Sequence, residues 1–143
     1  MLHFQQKTNC TCGAASYRIM VSQWNLISEK QAVDEVGTTK RGTETHKVLA
    51  ALKKRGKEAN LVHLNVDFGE YSRWLALNSV KRILYMHGEF VDKKVRRHRH
   101  HAFVVSDGFI YDPGEPSPLP IEAFFDRFTN RLHLHTMILM EKA

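Results

Sequence analysis

Apolar residues recur at helical spacing through the first third of the chain and at strand spacing through much of the rest. Between Cys12 and Val21, Ala15, Ile19 and Met20 fall at roughly helical intervals with no proline among them, which predicts a helix opening at Cys12-Gly13. A second helix is predicted over Ser28 to Val36, ended by Gly37. A third runs from Glu44 to Arg55, with Thr43 as its N-cap, Val48, Leu49 and Leu52 on one face, a basic last turn and Gly56 as its stop. Past Gly56 the period drops to two: Val62, Leu64 and Val66 alternate with Leu61, His63 and Asn65, the pattern of a strand. Asp67-Phe68-Gly69-Glu70 has the form of a capping box, opening a short helix that buries Tyr71, Trp74 and Leu75. Arg82 to His87 and His101 to Ser106 predict paired strands, and Asp107-Gly108 a tight turn into Phe109-Ile110-Tyr111. Gly114 to Pro120 is a loop. Pro120 then opens a helix carrying Ile121, Phe124, Phe125 and Phe128, and Leu132 to Leu139 forms a closing strand. Helices come first and strands later, so the expected class is α+β, with N-terminal helices packed on a C-terminal antiparallel sheet.

At 143 residues and 43% hydrophobic content the chain has enough apolar side chains for one core and too few for two ordinary domains, so residues 1–143 are expected to form a single domain. The longest apolar stretch at either end, Thr136 to Met140, falls far short of the roughly 18 residues of a membrane span. The N-terminus also lacks the basic stretch and apolar segment of a signal peptide, and a cytoplasmic protein is expected. Much of the formal charge of +6 lies in one run, Lys93-Lys94-Val95-Arg96-Arg97-His98-Arg99-His100. A run of this kind meets nucleic acid or another acidic partner, or is simply a solvated loop between two strands. The solvated loop is favoured, because no RNA-binding signature or aromatic stacking pattern accompanies it.

Two segments carry the candidate chemistry. Gln6-Lys7-Thr8-Asn9-Cys10-Thr11-Cys12-Gly13-Ala14-Ala15-Ser16 lies near the start, and His101-Ala102-Phe103-Val104-Val105, leading to Tyr111-Asp112-Pro113, near the end. Together they hold a side-chain amide, a thiol, an imidazole and a carboxylate, the four groups of a cysteine acyl-transfer site. Cys12 at a helix N-terminus would have its thiolate stabilised by free amides and the helix dipole. Cys10 and Cys12, the only cysteines, are too close in sequence to close a useful disulfide loop. The same cysteines, with His98, His100, His101, His133 and His135, are also soft or borderline metal ligands. Structural zinc sites mostly place two or four residues between paired cysteines, however, and here there is one; no metal and no cofactor are expected.

In this order the residues resemble the C39 family of papain-like cysteine peptidases, best known for removing double-glycine leader peptides from bacteriocin precursors. In that family a glutamine precedes the nucleophile by six residues, and glycine and small residues follow it, as Gln6, Cys12, Gly13 and Ala14 do here. The family histidine opens an apolar strand, and the next strand ends in Asp-Pro, matching His101, Phe103-Val104-Val105 and Asp112-Pro113. The Gly-Thr-rich turn before a Leu-rich helix ending Lys-Arg-Gly, and Ile121-Glu122-Ala123-Phe124, extend the resemblance over nearly the whole chain. Two positions depart. Thr11 stands where the family usually has an acidic residue, with Cys10 as an additional thiol, and Ala102 follows the histidine where the family has a bulky side chain. His98 and His100 compete with His101, which is favoured because it abuts the apolar strand.

The resemblance implies a papain-like fold with the site in the cleft between helices and sheet. It implies Cys12 as nucleophile, His101 as base, Asp112 as the residue orienting the histidine, and Gln6 with the Cys12 amide as oxyanion donors. The implied substrate is a peptide or protein in the cytosol of a bacterium or of a phage-infected cell, cleaved at a peptide or isopeptide bond. Two other classes remain: a peptide-binding module on the same fold that does not cut, and a nucleic-acid-associated protein working through residues 93–100.

Overall fold

Three helices form where the apolar periodicity puts them. The structure, a computed structural model, describes residues 1–8, 10–92, 97–128 and 132–142, with the side chains of 91, 92, 97–99 and 125–128 also outside the description. Helix α1 spans Cys12–Val21, α2 Glu29–Val36 and α3 Thr45–Lys54. The Ser28 hydroxyl caps α2 by accepting the Gln31 N–H at 3.1 Å, and Gly37 closes it in the left-handed region (φ 63°), where a side chain would be strained. Helix α3 starts one residue later than Thr43 as N-cap would give: Glu44 holds the cap position, because the Thr43 hydroxyl is taken up by Thr38 Oγ1 at 2.7 Å.

The second half is a six-stranded sheet interrupted by two helices. Strands β1 (Ala59–Asp67), β2 (Arg82–Asp92), β3 (Arg97–Ser106), β4 (Phe109–Tyr111), β5 (Leu119–Pro120) and β6 (Leu132–Glu141) line up in the order β1-β6-β2-β3-β4-β5, and every neighbouring pair is antiparallel. Helix α4 (Phe68–Asn78) follows β1 and α5 (Ile121–Phe128) follows β5.

Three details differ from the sequence expectation. The Asp67 carboxylate makes no capping bond to α4 and instead lies 3.3 Å from His133 Nδ1 on the neighbouring strand. Pro120 ends β5, paired with Phe109, and α5 begins one residue later. The basic segment is not all loop: β2 and β3 stay paired out to Asp92 and Arg97, so residues 97–100 belong to a strand, while Lys93, Lys94, Val95 and Arg96 lie outside the described residues. Asn9, and the side chains of His98, Phe125 and Phe128, also fall outside them.

The central strands are apolar on both faces because both faces are covered. Tyr17, Ile19 and Met20 of α1 and Val48 and Leu52 of α3 pack with Tyr85, Ala102, Val104 and Ile138 on one side. On the other, Phe68 and Leu75 of α4 and Phe124 of α5 pack with Leu84, Met86, Phe103 and Val105. Helix α1 lies between the sheet and the other N-terminal helices and is buried almost all round, which accounts for its weak amphipathic pattern.

A half-buried polar network holds α1 in place. Arg55 donates from Nε to Glu35 Oε1 at 2.7 Å and from a terminal nitrogen to Oε2 at 2.8 Å, and the Tyr17 hydroxyl donates to Glu35 Oε1 at 2.8 Å. The Arg55 hydrogen bond, aided by Tyr17 and opposed by burial, holds the Glu35 carboxyl below the usual glutamate value of 4.5. A carboxyl depressed in the folded state contributes stability that is present above pH 4.5 and is lost as the pH falls through the folded value. Glu35→Gln is therefore expected to lower stability by about 1–2 kcal/mol at neutral pH and to flatten the acid side of the stability profile, checked by denaturant melts between pH 3 and 7.

Candidate active site

Cys12 is the first residue of α1, and its setting is built from both sides. The preceding loop is closed by Thr11, whose hydroxyl accepts the Thr8 N–H at 3.1 Å and donates to the Thr8 carbonyl at 3.0 Å. Thr11 is thereby committed to holding the loop. After Cys12 comes Gly13, where a Cβ would lie 2.5 Å from the Cβ of Thr43; the helix start and the segment leading into α3 touch so closely that only glycine fits.

His101 sits near the open edge of β3. Strand β4 ends at Tyr111, paired with Val104, so it does not reach residues 101–103, and α1 packs against β3. Asp112 follows β4 directly. His101 Nε2 lies 2.5 Å from Asp112 Oδ1, and the same oxygen accepts the Gly114 N–H at 2.8 Å, which fixes the carboxylate. The two side chains are nearly buried, 12% and 5% exposed. The His101 ring also lies 5.2 Å, centre to centre, from Phe90 and 6.3 Å from Phe103.

Cys12 and His101 are hydrogen-bonded side chain to side chain, and with Nε2 on Asp112 the nitrogen left for sulfur is Nδ1. Burial pushes the Cys12 thiol up. The His101 hydrogen bond and charge, with amide donation from Ala102 and Gly13, outweigh it and bring the thiol below its ordinary 9.0. Burial likewise presses the His101 imidazolium down, but its bonds to Asp112 and Cys12 raise it from 6.5 to about 9. The arrangement favours a thiolate beside an imidazolium more than either group would alone.

The departures from the family pattern now have local reasons. Ala102, where a bulky residue was expected, is buried against the start of α1 and gives its amide to the Cys12 sulfur. Cys10 lies beside Thr8, its sulfur 3.1 Å from the hydroxyl, and both cysteines are free thiols. Gln6 is tied to the Asp112 segment by its backbone, its N–H donating to the Pro113 carbonyl at 2.8 Å. Its side chain turns another way: Nε2 donates to the Thr8 carbonyl at 3.0 Å, while Oε1 is buried without a partner among the described residues. Among the described residues, Gln6 is thus brought to the site's margin and is not hydrogen-bonded to Cys12 or His101.

A cleft of about 430 Å³ opens over Cys12. One wall is the turn and helix start from Lys40 to Thr45, and the other carries His87, His100, His101 and Ala102. Sequence reasoning did not identify the Lys40–Thr45 wall, since only the folded chain brings it to Cys12; the glycine after the cysteine was its one trace. His87 and His100 stack at 5.2 Å, and His135 lies 3.2 Å from Glu89. Among the described residues, no three Cys, His, Asp or Glu side chains have the arrangement of a metal site, and no helix is long and apolar enough to cross a membrane.

Comparison with solved structures places this architecture. The peptidase domain of Streptococcus ComA, a bifunctional ABC transporter of a quorum-sensing pathway, matches 99% of this chain and 98% of its own length at a TM-score of 0.64 and 18% identity. A double-glycine-motif protease from an AMS/PCAT transporter, solved in complex with a leader peptide, matches 99% of this chain and 91% of its own length at 0.66 and 19% identity. The chain has the fold of a C39 peptidase domain. A second ComA peptidase domain, from Streptococcus mutans, matches 96% of this chain and 97% of its own at 0.54 and 18% identity. No protein-family model and no curated protein matches the sequence. At these identities the likeness establishes the C39 fold, and the chemistry has to be argued from the side chains.

Proposed function

We propose that the protein is a cysteine peptidase that cleaves a peptide or isopeptide bond, with Cys12 as nucleophile, His101 as base and acid, and Asp112 orienting the histidine. The observation that supports it best is the Cys12–His101–Asp112 relay at the floor of an open cleft, with the thiol held low and the imidazole held high. The C39 fold, and a protease of that fold caught with a leader peptide, make a peptide the natural substrate class.

In the proposed reaction the Cys12 thiolate attacks the carbonyl carbon, and the charge moves to oxygen. The amide at the start of α1 and the Gln6 carboxamide stabilise that oxyanion. His101, protonated through the raised affinity that Asp112 gives it, delivers its proton to the departing nitrogen as the C–N bond breaks, leaving a thioester. Water, deprotonated by the now neutral His101, attacks the thioester, and the acid product leaves as the C–S bond breaks, which returns sulfur to a thiolate beside the protonated His101. An amine in place of water would make the same site a transferase.

Cleavage of a synthetic peptide library, read by mass spectrometry for the parent chain and for Cys12→Ala, tests the reading; products formed equally by both proteins would end it. For the oxyanion role, Gln6→Ala is expected to lower kcat by about 10²- to 10³-fold with little change in KM. That outcome requires the carboxamide, which in the free protein donates to Thr8, to offer its second N–H or turn toward the cleft when substrate binds. An unchanged kcat would remove Gln6 from the mechanism.

A further inference from the structure

The cleft carries two cations that no carboxylate among the described residues neutralises. Lys40 and Arg41 sit at the tip of a tight turn whose ends exchange two backbone hydrogen bonds, Thr39 N–H to Gly42 O at 3.0 Å and Gly42 N–H to Thr39 O at 2.9 Å. The Thr39 hydroxyl accepts the Arg41 N–H at 3.2 Å, which stiffens the turn further. Its base is pinned as well: Thr38 and Thr43 join hydroxyls at 2.7 Å, and Thr43 is packed on Gly13, next to the nucleophile. The turn is therefore held in a fixed place relative to Cys12, and both basic residues line the cleft.

The other charges of the cleft leave this pair uncompensated. Among the described residues no carboxylate lies within ion-pair distance of Lys40 or Arg41. Glu44, the acidic group on the same wall, is engaged with His46 at 3.4 Å and Lys47 at 3.8 Å. Facing the turn, His87 is held down to about 4 by burial and then by the charges of His100 and His135, so it adds no positive charge at neutral pH, and no negative one. Exposed, unpaired cations rigidly mounted beside a nucleophile suit an anionic group carried by whatever enters the cleft.

We propose that the Lys40–Arg41 turn is a specificity element that recognises a carboxylate, so that this chain selects peptides with an aspartate or glutamate side chain close to the bond Cys12 attacks. The proposal deepens the peptidase reading and rests on it for the identity of that bond. Two exposed ion pairs correspond to about a tenfold preference for acidic over amide side chains at the selected position, shrinking as salt is raised.

The test uses a position-randomised synthetic peptide library in free-acid and C-terminally amidated forms, the parent chain, and the variants K40E/R41E and K40Q/R41Q, whose folding is checked by thermal melts. Cleavage products are sequenced by mass spectrometry, and the same library is captured on immobilised Cys12→Ala protein with and without the turn substitutions. The expected result is enrichment of Asp and Glu at one fixed position by the parent, loss of that enrichment in K40Q/R41Q, and its replacement by Lys and Arg in K40E/R41E, in both library forms. Enrichment that disappears on amidation would assign the carboxylate to a chain terminus and overturn the side-chain proposal. Enrichment that survives the turn substitutions, or cleavage with no acidic preference, would overturn it while leaving the peptidase reading intact. Acidic peptides captured through Lys40 and Arg41 but never cleaved would sustain the recognition element and end the hydrolase reading instead, whereas neither cleavage nor capture would overturn both.

Discussion

In a His101→Ala protein, alkylation of Cys12 by iodoacetamide should require a higher pH than in the parent, and peptide hydrolysis should fall by about 10⁴-fold or more. Competing effects act on one sulfur atom. Burial is the largest influence on Cys12 and disfavours the thiolate; the His101 hydrogen bond and positive charge, with two backbone amides, reverse that preference. Once the imidazole is gone, burial is opposed by the Ala102 and Gly13 amides alone, and the thiol rises back toward its ordinary 9.0 or above it. The same substitution removes the proton donor for the leaving amine. Alkylation followed over pH by mass spectrometry, on each cysteine separately, checks the prediction, with Cys10 as the internal control. The relay fails as an explanation if the alkylation profile of Cys12 in the parent lies no lower than that of an ordinary thiol, or if it is unchanged without His101.

The elements that position the relay were legible because each has a strong local signal. Gly37 after α2 and the apolar run Phe103-Val104-Val105 after His101 need no tertiary knowledge, and the likeness of Cys12-Gly13 and Asp112-Pro113 to a known pattern supplied the order of the site. His101 was separable from His98 and His100 because it abuts that apolar run, and the structure places it against Asp112.

What escaped sequence reading depends on contacts between segments far apart in the chain. Thr43 reads as a good helix cap, but its hydroxyl is claimed by Thr38 and its methyl-bearing carbon by Gly13. Asp67 and Glu70 spell a capping box, yet the aspartate finds a histidine on the next strand. The hairpin formed by β2 and β3 extends past the core, where its register is carried by backbone bonds and no apolar alternation marks it. Gln6 shows the same limit within the site. Its backbone is fixed by Pro113, but its carboxamide is held by the Thr8 carbonyl, a contact that the sequence does not announce. The cleft's basic turn was invisible for the plainest reason: Lys40-Arg41 in sequence is an ordinary surface pair.

Asp112→Asn separates orientation from charge, and its expected effect is a fall in kcat of about 10²- to 10⁴-fold together with a displaced pH profile. The asparagine carbonyl can still accept the Gly114 N–H, so the loop after β4 should keep its shape, whereas Asp112→Ala would release it. What the amide cannot supply is negative charge. In the parent, the hydrogen bond and charge of Asp112 do most to overcome burial and raise His101 to about 9, and the imidazolium must survive to protonate the leaving nitrogen. The alkaline limb of kcat/KM should therefore lie near pH 9 in the parent, with the acid limb set by protonation of Cys12 below its ordinary value, the two belonging to the pair as a whole. Without the carboxylate, burial is opposed by the hydrogen bond and charge of Cys12 alone, and the alkaline limb should move down from pH 9 toward 6.5. The sign is specific: activity should be lost first on the alkaline side, and Cys12 alkylation at low pH should slow in step, because the cation that stabilises the thiolate is itself less stable. An Asp112→Asn protein whose alkaline limb stays near pH 9 would show that the carboxylate does not govern His101, however short their separation.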